Sequence, residues 1–267
     1  MSATVIGAVT NGTKVDVTAN GKASEPWLRV HQPRANPRLR LFCLPYAGGT
    51  ASLYRTWHQH LPEEIEVCAV QLPGRENRFR EQPFSNLAKL VQMLLPNLLP
   101  HLDKPFALFG HSMGALIAYE LAQQLQMGRH IPTHLIVSGR RAPILPDPAP
   151  PLHTLPGDDA FLAGLQRRYN NLPALMLSDA AFRELFTPLL RADMTLVETY
   201  TYTSRPPLTC PLLALGGEED ANTSQAELRA WQSLTSADFA VQLFPGGHFY
   251  LNEQTQPLLS TLASYLA

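Results

Sequence analysis

The sequence predicts an α/β fold: a mostly parallel central sheet flanked by helices, with a helical lid inserted late in the chain. From residue 39 to 266, short apolar runs alternate with stretches of helical periodicity, as strands joined by crossover helices do. One strand-to-helix junction reads Gly110-His111-Ser112-Met113-Gly114, a serine held between two glycines. From Ala142 to about Tyr202 the alternation stops, and no buried strand is legible.

Taken in order, Leu39-Arg40-Leu41-Phe42-Cys43-Leu44 reads as a strand and residues 51–60 as a short helix. Ile65-Glu66-Val67-Cys68-Ala69-Val70 is the next strand. Residues 87–99 form a helix with Ser85 as N-cap and a kink at Pro96. Phe106-Ala107-Leu108-Phe109 is a strand, and the helix opening at Ala115 stops at Gly128, a residue suited to the position after a helix. Leu135 to Ser138, Leu212 to Leu215 and Phe239 to Phe244 are further strands, and a last helix covers about 255–266. The interruption, about 142–202, starts proline-rich and continues with amphipathic patterns over 159–169 and 179–200, which reads as a lid.

The bulk properties exclude several classes. The 267 residues are enough for one sizeable core, and 45% hydrophobic with 16% charged residues is a globular balance. A net charge of -1, from 21 basic and 22 acidic side chains, offers no field for nucleic acid. No apolar stretch approaches the roughly 20 residues of a membrane span. Residues 1–24 are polar, lack the signature of a secretory signal, and are expected to be an extension, either a mobile tail or a short added strand. One domain then covers 25–267. Cys43, Cys68 and Cys210 lie in apolar runs, an odd set that reads as buried thiols in a reducing cytoplasm rather than a disulfide framework or zinc site.

A G-x-S-x-G turn between strand and helix is the nucleophile elbow of α/β-hydrolases, which exposes a serine hydroxyl on a strained turn. A serine nucleophile needs a base, and the base needs an orienting acid. His248 is the candidate base, because Gly246-Gly247 precedes it in a loop after the last strand. The other histidines read as surface or turn residues, apart from His111, which lies in the elbow but is expected to point away from the reacting atom. Asp220 is the candidate acid, four residues after Gly216, with Glu218 and Glu219 as close alternatives and Asp193 as a weaker one. The order Ser112, Asp220, His248 is the α/β-hydrolase chain order. The N–H of Met113 and an N–H from Pro45-Tyr46-Ala47-Gly48-Gly49-Thr50, with Ala47 the candidate, are expected to form the oxyanion hole.

These residues, with Gln71-Leu72-Pro73-Gly74-Arg75, Ser138-Gly139-Arg140-Arg141-Ala142-Pro143, Leu190-Arg191-Ala192-Asp193, Glu198-Thr199-Tyr200 and Gly246-Gly247-His248-Phe249, resemble the type II thioesterases that accompany non-ribosomal peptide and polyketide synthases. The resemblance runs from about Arg38 to the C-terminus. It implies hydrolysis of acyl groups from the phosphopantetheine thiol of carrier proteins, with Ser112, Asp220 and His248 as triad and Ala47 and Met113 as oxyanion donors. The expected partner is an acyl- or peptidyl-carrier protein; no cofactor and no metal are required, and the expected state is a cytoplasmic monomer. A general carboxylesterase or acyltransferase, a medium-chain acyl-carrier-protein thioesterase of fatty acid synthesis, and a non-catalytic binding protein are the rival readings. Phe161, Leu162, Leu165 and Leu175 either line an acyl channel or pack among themselves; Arg75, Arg78 and Arg80 either meet an acidic carrier or stay solvated. Two departures stand out: Ala221 follows the acid where the family often has proline, and Tyr169-Asn170-Asn171-Leu172-Pro173 replaces a stretch that usually contains glycine.

Overall fold

The computed structural model describes residues 27–267, so the expected extension over 1–24 lies outside the described residues. The chain runs through β1 (Leu28–Arg29), β2 (Leu39–Leu44), β3 (Ile65–Val70), α1 (Leu87–Leu98), β4 (Phe106–His111), α2 (Met113–Met127) and β5 (His134–Ser138). It continues with α3 (Gly157–Tyr169), α4 (Ala174–Ser178), α5 (Ala180–Glu198), β6 (Leu212–Gly217), α6 (Gln225–Arg229), β7 (Phe239–Phe244), α7 (Tyr250–Glu253) and α8 (Thr255–Tyr265). The seven strands form one sheet in the order β1-β3-β2-β4-β5-β6-β7. All pairings are parallel except β1 with β3.

Strand alternation feeds two separate cores, because successive side chains point to opposite faces. Phe42 and Leu44 join Val70, Leu108 and Val137 under α1 and α2, where Leu90, Leu94, Ile117 and Leu121 pack. Leu41 and Cys43 join Phe109, Ile136 and Leu215 on the other face, covered by Leu258, Leu259 and Leu262 of α8. All three cysteines are buried and free.

Several boundaries differ from expectation. Residues 51–60 form two 3-10 turns, Ala51–Tyr54 and Trp57–Gln59, not one α-helix. Ala51, Tyr54 and Trp57 are all buried. Their spacing of three suits a turn of three residues, which aligns positions i and i+3. The N-cap of α1 is Asn86, whose side chain accepts from Lys89 N–H; it is not Ser85. The helix runs through Pro96 and tightens into a 3-10 turn only at Leu99–His101. α2 ends at Gly128 as expected, but Gly128 has φ −79°, and it is Arg129 that takes the left-handed conformation, at φ 62°. β1 is not legible in the sequence: a two-residue strand is too short for any periodicity to announce.

Between β5 and β6 the chain leaves the sheet and forms α3, α4 and α5. Leu152, Phe161, Leu162, Leu165, Met176 and Met194 give this insertion its own small core. Asn170, with φ 48°, ends α3 in the left-handed conformation, so an asparagine does there what a glycine does elsewhere.

Candidate active site

Three carboxyl-terminal strand ends converge on one point, where open parallel sheets bind their ligands. Ser112 follows β4 with φ 53° and ψ −111°, a conformation that costs about 1–3 kcal/mol in a non-glycine residue. The turn is held by Ser112 N–H donating to Ser138 O on β5 at 2.8 Å. It requires glycine on both sides. A Cβ on Gly110 would stand 2.0 Å from Gly114 O, and one on Gly114 would stand 2.1 Å from Leu44 O.

His248 follows β7, its imidazole delivered by Gly246 at φ 109°. The β6 and β7 loops pass so closely that a Cβ on Gly217 would lie 2.3 Å from Gly247 O. His248 Nε2 is 3.1 Å from Ser112 Oγ and Nδ1 is 2.8 Å from Asp220 Oδ2. The Asp220 side chain is fully buried and that of His248 is 6% exposed. Asp220 Oδ1 also accepts from Asn222 N–H at 2.8 Å, which closes the loop after the acid although Ala221 replaces proline. Glu218 and Glu219 are exposed on the same turn. An ionised Asp220 can only accept, so Nδ1 carries the proton and Nε2 is free to take one from a hydroxyl. Such a series can activate a serine for attack on an acyl carbon.

His111 is fully buried, with Nδ1 2.8 Å from Ser138 Oγ, which in turn lies 2.6 Å from Tyr250 Oη. Burial, then the nearby His248, hold its pKa well below the ordinary histidine value, so it stays neutral. The ring is packed 5.2 Å from that of His248. Tyr169, from the end of α3, also packs its ring 5.1 Å from that of His248.

Two cavities meet at Ser112 and His248. The larger, about 400 Å³, is bounded by Tyr46, Ala47, Gly48, Met113 and Phe249 and by Leu165, Met176, Phe182, Phe186, Leu190 and Met194 of the insertion. The smaller, about 190 Å³, is polar, with Arg140, Arg141, Arg168, Asp147, Asn222 and Thr223 on its walls. Arg141 is paired with Glu227 and Asp147, and Arg168 with Glu198. Arg140 has no carboxylate partner among the described residues, and its Nε is buried without a hydrogen bond. Burial pulls its pKa below the ordinary arginine value.

Several expected placements are corrected. Arg75 and Arg78 do not face solvent: Arg75 is buried in an ion pair with Asp193, and Arg78 lies over the Trp27 ring and is paired with Glu81. Only Arg80 of the three is exposed. Asp193 is therefore occupied by Arg75 and by Gly48 N–H, away from His248. Of the four apolar insertion residues, Leu165 lines the larger cavity, Phe161 and Leu162 pack in the insertion's core, and Leu175 is 52% exposed. His134 belongs to β5, packed on Tyr265, and His153 is paired with Glu198; neither is a simple surface residue. Arg140 and the Arg75–Asp193 pair carried no sequence signal beyond their motif blocks.

Among the described residues no cluster of three or more His, Cys, Asp or Glu side chains is placed to hold a metal ion. No helix there is long and apolar enough to cross a membrane.

The thioesterase domain family matches residues 39–266. Linear gramicidin dehydrogenase LgrE of Brevibacillus parabrevis is 44% identical over 248 residues, covering 90% of this chain and 94% of that protein. Gramicidin S biosynthesis protein GrsT of Aneurinibacillus migulanus is 42% identical over 230 residues, covering 86% and 89%. Among solved structures, the type II thioesterase BorB from the borrelidin biosynthetic cluster aligns with a TM-score of 0.82 at 35% identity, covering 92% of this chain and 98% of that one.

Proposed function

The chain belongs to the thioesterase domain family and is a thioester hydrolase, and from that premise we propose that it removes misprimed or stalled acyl chains from phosphopantetheinyl carrier proteins in non-ribosomal peptide or polyketide biosynthesis. The observation that carries the reading is the hydrogen-bonded series Ser112, His248, Asp220 at the meeting point of an apolar and a polar cavity.

In this mechanism His248 Nε2 takes the Ser112 proton as Oγ attacks the thioester carbonyl. Ala47 and Met113, both on the cavity wall beside Ser112, donate their N–H groups to the oxyanion. Asp220 holds the imidazole and stabilises its charge. The pantetheine thiol leaves with the proton from His248, and a water activated by the same nitrogen then releases the acid. Phosphopantetheine belongs to the substrate. The apolar cavity suits the acyl chain, and the polar one suits the amide-bearing pantetheine arm. The word dehydrogenase belongs to the name of LgrE; these 267 residues contain no G-x-G-x-x-G stretch for a dinucleotide. We assign the reaction to the cytoplasm, where buried free thiols stay reduced, and expect the protein to act as a monomer.

The test is to compare one acyl group presented on a holo carrier protein, on coenzyme A and as a p-nitrophenyl ester. The carrier-bound thioester is expected to have the highest kcat/KM; faster turnover of the oxygen ester would point to a general esterase instead. A companion prediction concerns Arg140. Arg140→Gln removes the unpaired cation from the polar cavity. It is expected to raise KM for the carrier-bound thioester by about 10-fold, the scale of one charged hydrogen bond, and to leave the short p-nitrophenyl ester nearly unaffected. Equal changes for both substrates would remove Arg140 from the pantetheine path.

A further inference from the structure

The loop that carries Ala47 is fastened to the insertion by an ion pair outside the Ser112–His248–Asp220 series. Asp193, on α5, accepts the Gly48 N–H through Oδ2 at 2.7 Å. Arg75 grips the same carboxylate with both terminal nitrogens, Nη2 to Oδ1 at 2.8 Å and Nη1 to Oδ2 at 3.1 Å. Nη1 also donates to Gly49 O at 3.0 Å, and Nε to Pro73 O at 3.2 Å. Each side chain is only 2% exposed. Leu190, one turn before Asp193, presses on Gly48, where the backbone is left-handed (φ 76°) and a Cβ would stand 2.6 Å from the leucine Cδ2. The two residues after Ala47 thus have their peptide groups held from α5 and from the β3 loop together.

A buried ion pair is a weak stabiliser, since desolvation offsets much of its attraction. What a bidentate guanidinium and carboxylate add is direction, because both groups are planar and fix the atoms they bond. We propose that Arg75 and Asp193 are positioning residues for the oxyanion: by holding Gly48 N–H and Gly49 C=O they aim the Ala47 N–H at the acyl oxygen, and they do so only while α5 is seated. This rests on the Ser112 chemistry proposed above. Leu189, Leu190 and Met194 of the same helix line the apolar cavity, so the element that meets the acyl chain also carries the carboxylate that orients the donor.

Two variants of the full chain test this, Asp193→Asn and the double replacement Arg75→Met with Asp193→Leu, which fills the volume without charge. Read-outs are kcat and KM on the carrier-bound thioester and on the p-nitrophenyl ester, the melting temperature, and the affinity of an alkyl boronic acid, whose adduct with Ser112 is tetrahedral and anionic. Both variants are expected to lose about 10²–10³ in kcat on both substrates, the loss seen when one oxyanion donor is removed. KM should change little, and the boronic acid should weaken in step with kcat. The double variant keeps the volume but leaves Gly48 N–H and Gly49 O without these partners, so it is expected to fold with a melting temperature a few degrees below wild type. Wild-type kcat in the double variant, or a loss confined to KM, overturns the proposal and leaves the pair structural. If Asp193→Asn does not fold, the double variant decides alone. Hydrolysis that persists in Ser112→Ala would defeat the underlying reading instead, so the two failures are distinguishable.

Discussion

Ser112→Ala is expected to lower kcat on a carrier-bound acyl thioester by about 10⁶-fold, the scale seen when a triad serine is removed from a serine hydrolase. In the proposed mechanism the Oγ atom, 3.1 Å from His248 Nε2, is the group that forms the acyl-enzyme. KM should stay close to wild type, because both cavities keep their walls. Asp220→Asn is expected to cost about 10⁴-fold, since an amide can donate to Nδ1 and so favour the wrong tautomer. The Asn222 N–H contact to Oδ1 survives that change, so the loss should be chemical rather than structural. Single-turnover hydrolysis, with circular dichroism to verify the fold, measures both. A serine variant within tenfold of wild type would remove the triad mechanism altogether.

The largest expected effect on stability is at Gly114. A methyl there meets Leu44 O at 2.1 Å, Leu44 C at 2.6 Å and Pro45 O at 2.8 Å. All three are backbone atoms, so no rotamer change relieves the clash and α2 must move off the end of β2. Gly114→Ala is expected to destabilise by about 3 kcal/mol or more, which for a domain of this size lowers Tm by roughly 10 °C. Gly128→Ala is the control: its φ is −79° and the nearest atom to an added Cβ is 3.4 Å away, so the change should lie within about 0.5 kcal/mol of zero. Urea unfolding of the two variants side by side checks the contrast; equal midpoints would mean that the elbow has slack.

What was legible in the sequence was local. The strands β2 to β7 announce themselves because each is a short apolar run, and the elbow because two glycines and a serine occupy five consecutive positions. The segments after β6 and β7 are legible as loops, and Asp220 and His248 are the candidates they offer. Chain position favours Asp220 over Glu218 and Glu219, but the direction of the turn after Gly217 is not local: it depends on Gly246 and Gly247 lying against it. Arg75 and Arg78 read locally as surface cations because arginine usually is one. Their burial depends on Asp193, 118 residues from Arg75, and on Trp27, which no window of local sequence contains. Asn86 took the cap from Ser85 by one position, within the ordinary ambiguity of helix ends.

The same long separations govern how the protein comes to be active. Ser112 and His248 are 136 residues apart, and Arg75 and Asp193 are 118 apart. Closing loops of that length costs entropy before the contacts repay it. The three groups reach one point because β4, β5, β6 and β7 lie side by side, so the site belongs to the paired sheet and to no single segment of chain. A fragment ending before β6 would keep the Gly110–Gly114 turn but lack both Asp220 and His248, and its Ser112 would be an ordinary alcohol.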